Sequence, residues 1–133
     1  MHRDPAFAGE VVNALDFLYE HAYNERLERQ NSNWFWWEIG VPRSLTDACA
    51  LLYEAIPAGR LERWFRPLLR WCPDADHRIS NPATTETGAN RTNKAMAVAK
   101  RGVLTRDAAA IELARDAISD KLGGGRWSLL KLT

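Results

Sequence analysis

The sequence predicts an all-α domain, and three observations carry that reading. Apolar residues recur at three- and four-residue intervals along several segments, the spacing of a helix that buries one face. No run alternates apolar and polar residues with the two-residue period of a half-buried strand. The chain of 133 residues, with 46% hydrophobic and 26% charged side chains, has the size and composition of one core rather than two domains or a disordered segment. No stretch approaches the roughly 18 uninterrupted apolar residues that a spanning helix requires.

Taken in order, Asp4 followed by Pro5 marks a helix start, a cap and then a first-turn proline. Phe7, Val11, Leu15, Leu18 and Ala22 continue it at helical spacing, which predicts a first helix to about Asn24. The polar stretch NERLERQNSN then leads into NWFWWEIG. Pro42 and Ser44 reopen helical periodicity through Leu45, Cys49, Leu52 and Ile56. Pro57 and Gly59 end this second helix. A third follows with Leu61, Trp64, Phe65, Leu68 and Leu69 on one face and Arg60, Arg63, Arg66 and Arg70 largely on the other. The short turn between the second and third predicts an antiparallel helical hairpin. PDADHRISNPATTE, from Pro73 to Glu86, has no periodicity and reads as a long loop that either carries function or moves. TGANRTN leads into a fourth helix, AMAVAKRGVL, whose small side chains permit close packing. Thr105 is expected to cap a fifth, through Ala109, Leu113, Ala117, Ile118 and Leu122, ended by Gly123 to Gly125.

The net charge of +1 conceals an uneven distribution. Residues 1–33 carry three basic and six acidic side chains, whereas residues 84–106 carry Arg91, Lys94, Lys100, Arg101 and Arg106 against Glu86 alone. On charge alone the basic segment reads as a solvated helix face, with attraction of an anionic polymer as the alternative. A nucleic-acid partner is not expected, since no helix-turn-helix or RNA-binding signature accompanies these residues. Cys49 and Cys72 have no CxxC or Cys/His spacing and read as buried thiols rather than zinc ligands or a disulfide framework. His2, His21 and His77 are scattered without a ligand spacing, so no metal or other cofactor is called for.

Two segments carry functional information. Trp34, Phe35, Trp36 and Trp37 are consecutive, and no single face of a regular element buries four neighbours, so at least one ring must be exposed. An exposed ring offers a flat face for the C–H face of a sugar or for a base. Packing in the core accounts equally well for each ring, and best for Trp37 and Ile39. Glu38 is a lone carboxylate without a partner in sequence, and it reads as a loop anchor held by hydrogen bonds or an arginine. In TGANRTN, Thr87 or Asn90 can be a helix cap and Gly88 a turn. The functional alternative is an uncharged Asn90 amide donating to a carboxylate, with Arg91 beside it as a cation, which suits an acidic sugar.

NWFWWEIGVPRSLTDACALL followed, after a proline-bearing loop, by TGANRTNKAMAVAKRGVL resembles the N-terminal catalytic region of polysaccharide lyase family 8. This family includes hyaluronate, chondroitin AC and xanthan lyases. The resemblance implies helical hairpins forming part of an incomplete α/α toroid, with residues 1–122 as a partial lyase domain and 123–133 as a divergent tail. It maps the family's NWW-x-W-E-I-G pattern onto Asn33 to Gly40, with Phe35 in place of a tryptophan. Trp34 and Phe35 thereby inherit the role of the family's substrate-positioning patch, and Trp37 and Arg91 are further candidate substrate contacts. A third aromatic, found just before the asparagine motif in some hyaluronate lyases, is replaced by Thr84 or Thr85.

By the same resemblance Asn90 is the catalytic asparagine. Its amide would bind the uronate carboxylate and withdraw charge, making the C5 proton more acidic before β-elimination. The family's proton-transferring His and Tyr lie downstream of the segment matched here. The expectation is therefore a fragment of a lyase acting on hyaluronan, chondroitin or xanthan, inactive alone, with a non-catalytic carbohydrate-binding remnant as the alternative. The partner expected is an acidic polysaccharide, with no membrane partner and with self-association through exposed apolar surface. Relatives of this family are extracellular, whereas the start MHRDPAFAGE has no secretory features and reads as cytoplasmic if expressed as given. A truncated or frameshifted gene would account for both the start and the LGGGRWSLLKLT tail.

Overall fold

The computed structural model describes residues 4–118. They form five α-helices: α1 (Pro5–His21), α2 (Val41–Leu51), α3 (Arg60–Trp71), α4 (Gly88–Thr105) and α5 (Ala108–Ala117). A π-helical turn, Trp36–Gly40, leads directly into α2, and a 3₁₀ turn, Tyr53–Ala55, follows it. Among the described residues there is no strand, only an isolated antiparallel bridge between His77 and Thr85. No helix among them is long and apolar enough to cross a membrane. Leu122, the glycines 123–125, the 123–133 tail and His2 lie outside the described residues.

The start of α1 is the one expected, with the Asp4 carboxylate accepting from the Ala6 N–H at 3.0 Å and Pro5 in the first turn. The helix ends at His21 rather than near Asn24. Asn24 itself closes it: its side-chain amide donates to the Tyr19 carbonyl at 2.9 Å and its Oδ1 accepts from the Arg26 N–H at 3.0 Å. At the other end of the chain, Asp107 and not Thr105 caps α5, accepting from the Ala110 N–H. The Thr105 hydroxyl instead donates back to the Arg101 carbonyl at 2.7 Å, within α4.

The core has two parts. Val12, Tyr19, Tyr23, Trp37, Leu45, Cys49, Leu61, Trp64, Phe65, Leu68 and Trp71 join α1, the π turn, α2 and α3. Each of its three indole N–H groups is satisfied, Trp37 by the Ser32 hydroxyl, Trp64 by Asp16 and Trp71 by the Asn24 carbonyl. The second part is built of alanines, Val98 and Cys72 between α4 and α5. The most extensive close backbone approach is between α4 and α5. Gly102 permits it, because a Cβ there would lie 2.8 Å from Ile111 Cγ1 and 2.9 Å from the Asp107 carbonyl oxygen. Cys49 and Cys72 are free and buried, as expected, and burial pushes each thiol up to about 12. Phe7, Phe17, Leu51, Leu69 and Val103 lie exposed.

Three of the four arginines on α3 are engaged by neighbouring carboxylates and carbonyls, while Arg66 is exposed. Arg60 pairs with Asp16 at 3.2 Å, Arg63 with Glu20, and Arg70 donates to the Glu28 carbonyl while stacking over Trp71. The basic segment on α4 is likewise not a solvated face, which corrects the charge-based expectation. Lys94 and Arg101 are buried, and Lys100 pairs with Asp47 of α2.

Candidate functional site: an aromatic patch tied to Asn90 by buried charges

The four consecutive aromatics divide as their number requires. Trp37 is 4% exposed, while Phe35 and Trp36 are 37% and 59% exposed and Trp34 is half-buried. A π turn carries more residues per turn than an α-helix, and this places three successive residues, Trp37, Glu38 and Ile39, on the buried side. This turn is not legible in the residues, since its signature is a hydrogen-bond register and not a residue pattern. Trp34, Phe35 and Trp36 follow one another edge to face, with centroids 6.1 and 5.6 Å apart. Trp37, expected among the substrate contacts, is a core residue. Its ring packs against Tyr23 and Trp71 and its carbonyl accepts from the Tyr23 hydroxyl at 2.6 Å, leaving no face to stack on a ligand.

Glu38 anchors a loop, though with lysine rather than arginine. Fully buried, it accepts from the Ile79 N–H at 2.7 Å and the Ser80 N–H at 3.0 Å, which pins the 73–86 segment. Gln30 donates to it at 2.8 Å, and the Lys94 ammonium of α4 at 2.8 Å. Lys94 also donates to the His77 carbonyl at 2.8 Å and lies 3.4 Å from the buried carboxylate of Glu86. Glu86 in turn is held by Arg78, whose Nε donates at 2.8 Å. Two cations and two carboxylates thus form one network with no net charge. Burial opposes ionisation of Glu38, but Lys94, Gln30 and the two backbone donors outweigh it and hold its carboxyl below its ordinary value. Glu86 is likewise lowered, with Arg78 and Lys94 overcoming its burial.

This network brings the two sequence motifs together. Glu38 lies four residues after Trp34, and Lys94 four residues after Asn90, so each partner of the ion pair sits about one turn beyond a candidate site residue. The π turn packs against α4 accordingly. Asn90 occupies the first turn of α4, half-buried, and its side-chain amide has no hydrogen-bond partner among the described residues. It is not the cap. Thr87 takes that position without a side-chain bond, and Gly88 at φ +52° supplies the left-handed backbone that starts the helix. Arg91 points toward the loop, with its Nε 4.0 Å from Asp76 Oδ1. His77 is exposed beside Asp74 and contributes only its carbonyl to the network. Among the described residues no cluster of His, Cys, Asp and Glu has the arrangement of a metal site.

Lys94, Glu86 and Arg78 were not among the sequence candidates. One signal was available: Lys94 and Arg101 stand at i and i+7 on the same α4 stripe as Ala95, Val98 and Gly102, and a charge on a buried stripe demands a buried partner.

The family profile of the polysaccharide lyase family 8 N-terminal alpha-helical domain matches residues 1–123. The chain is similar to a xanthan lyase of Bacillus sp. (strain GL1), 34% identical over 110 residues that cover 83% of this chain and 11% of that protein. It is similar to a hyaluronate lyase of Thermasporomyces composti, 36% identical over 115 residues, 86% of this chain and 14% of that one. Among solved structures, the chondroitin AC lyase of Streptomyces coelicolor A3 in complex with chondroitin sulphate superposes with a TM-score of 0.75 at 39% identity, covering 86% of this chain and 15% of that one. The chain therefore spans only a small part of the length of these enzymes, and its all-helical architecture is that of their α/α toroid. On sequence and fold alike, this chain belongs to polysaccharide lyase family 8, in the N-terminal α-helical domain.

Proposed function

We propose that the surface bearing Trp34, Phe35 and Asn90 binds a uronate-containing polysaccharide, and that it forms part of the cleft of a lyase acting by β-elimination. The observation that carries this reading is the Glu38–Lys94 pair, which ties the segment bearing the partly exposed aromatics to the helix bearing a half-buried, unpartnered amide. Such a surface has complementary parts for an acidic sugar. Trp34 and Phe35 offer apolar faces to the pyranose ring, and the Asn90 amide donates to the carboxylate at the N-terminal end of an 18-residue helix, where negative charge is favoured. A donor that binds the carboxylate more tightly as charge builds on it lowers the barrier to loss of the C5 proton. Arg91, held near Asp76, adds a positive charge beside Asn90.

In this reading the described residues supply binding and charge withdrawal, and no proton-transferring group is assigned among them. Burial raises the Tyr23 phenol well above its ordinary value, the Tyr19 hydroxyl donates to Glu25, and His77, exposed beside Asp74, precedes Asn90 and matches no motif of the family. The 133-residue chain is accordingly proposed to bind without appreciable turnover, with the proton-transferring groups supplied by the remainder of a lyase domain. Affinity electrophoresis through hyaluronan, chondroitin sulphate and xanthan tests binding, and ultraviolet absorbance of the unsaturated uronate tests turnover. Retardation that disappears in Trp34→Ala, without absorbance growth, is expected. Migration indifferent to all three polymers refutes the binding claim, and sustained absorbance growth refutes the claim of inactivity.

A further inference from the structure

Arg78 belongs to the loop between α3 and α4, which the sequence marks only as irregular. Its guanidinium carbon stands 3.8 Å from the centroid of the Trp34 ring, the separation of a stacked cation–π pair. The guanidinium is fixed from the side as well. Its Nε and Nη2 donate to the two oxygens of Glu86 at 2.8 and 3.3 Å, and Glu86 is buried against Lys94. The loop carrying Arg78 is held in turn, because Glu38 accepts from the two backbone N–H groups that follow it, those of Ile79 and Ser80. A half-buried indole is therefore backed by a planar cation that has little freedom to move.

We propose that Arg78 is a positioning residue, which stacks on one face of Trp34 and fixes the indole as a platform whose remaining face receives the sugar. This rests on the polysaccharide-binding reading of the Trp34 surface. The role is geometric rather than electrostatic. Arg78 and Lys94 are balanced by Glu86 and Glu38, so the network lends no net charge to attract an anionic polymer. What it supplies is a fixed plane, and orientation held before binding reduces the freedom lost on binding. Lysine is not an equivalent, because an ammonium keeps the charge opposite Glu86 but has no flat surface to lie along the indole.

The test compares the full chain with Arg78→Lys and Trp34→Ala, by retardation in hyaluronan and chondroitin sulphate gels and by ¹⁵N relaxation of the Trp34 indole N–H. Arg78→Lys is expected to stay folded with a lowered urea midpoint, to weaken retardation about three- to tenfold, and to increase the mobility of the Trp34 indole. Trp34→Ala identifies the indole resonance and abolishes retardation. Binding and indole mobility both unchanged in Arg78→Lys overturn the proposal. If the parent chain fails to bind either polymer, the polysaccharide reading fails separately, and indole relaxation still decides whether Arg78 holds Trp34 in place. Should Arg78→Lys unfold, Glu86→Gln is the second variant, expected to loosen the same indole through Arg78; a rigid indole there overturns the proposal.

Discussion

Replacing Lys94 by methionine keeps the length of the side chain and removes the one cation shared by Glu38 and Glu86. The ammonium and both carboxylates are essentially inaccessible to water, at 0%, 0% and 1% exposure, so no solvent replaces the lost contacts. Removing one partner of a buried pair costs about 3–5 kcal/mol, chiefly because the other charge stays buried without compensation. Here the lower end applies, since Glu38 keeps Gln30 and two backbone donors and Glu86 keeps Arg78. Against a total stability of about 5–15 kcal/mol this is a large fraction. With a urea slope of about 2 kcal/mol per molar, the midpoint falls by about 1.5 M.

The pH dependence gives the prediction a second arm. Both carboxyls lie below their ordinary value in the folded chain. Their contribution is thus complete above the unfolded carboxylate value, about 4.3, and is lost as pH falls through the folded values. In Lys94→Met the burial of Glu38 is no longer offset by the ammonium, so its carboxyl rises and the neutral form becomes acceptable in mild acid. The gap between parent and variant should narrow between about pH 7 and pH 4, and Glu38→Gln should recover part of the loss in the double variant. Urea unfolding followed by tryptophan fluorescence at several pH values measures this. A variant within about 0.5 kcal/mol of the parent, or a gap that stays constant with pH, refutes the reasoning.

The remaining predictions concern packing. Gly102→Ala gains helix propensity worth about 1 kcal/mol but drives a methyl into Ile111 and the Asp107 carbonyl, a cost of about 1–3 kcal/mol. A net lowering of the urea midpoint is expected, and an unchanged or raised midpoint would show that α5 moves aside freely. The thiols of Cys49 and Cys72, both pushed up to about 12, should resist iodoacetamide at mildly alkaline pH in the folded chain and react on unfolding. Rapid labelling without urea would contradict their burial. Trp37→Ala should lower stability by about 3–5 kcal/mol, whereas Trp36→Ala, at an exposed ring, should change it little; equal losses would place the wrong ring in the core.

What was legible in the sequence was whatever rests on a local rule. Asp4–Pro5 marks the start of α1, and the 3–4 spacing of Leu61, Trp64, Phe65 and Leu68 marks the buried face of α3, although Leu69, placed on the same face, is exposed. Four consecutive aromatics required an exposed ring, though not which one. What was not legible depends on groups distant in the chain. Glu38 reads locally as an anchor, yet its cation is 56 residues away, and although the apolar stripe of α4 marks Lys94 as buried, nothing local names Glu38 and Glu86 as its partners. Thr105 and Asp107 are both acceptable caps by type, and the left-handed turn at Arg106, φ +56°, decides for Asp107. Trp37 shows both sides: core packing already accounts best for it and Ile39 in the sequence, whereas the motif alone groups it with the substrate contacts, and the π turn places both residues in the core.

The most direct test of the central claim follows the Asn90 side-chain amide by NMR while short hyaluronan oligosaccharides are added to the labelled chain. Asn90→Ala assigns the signal, and carboxyl-reduced oligosaccharides serve as the comparison. The amide resonances of Asn90 and the indole of Trp34 should shift together with native hyaluronan, and the Asn90 shift should vanish with the carboxyl-reduced sugar. If Asn90 does not respond, or responds equally to both sugars, its amide does not bind the uronate carboxylate and the proposed site is wrong.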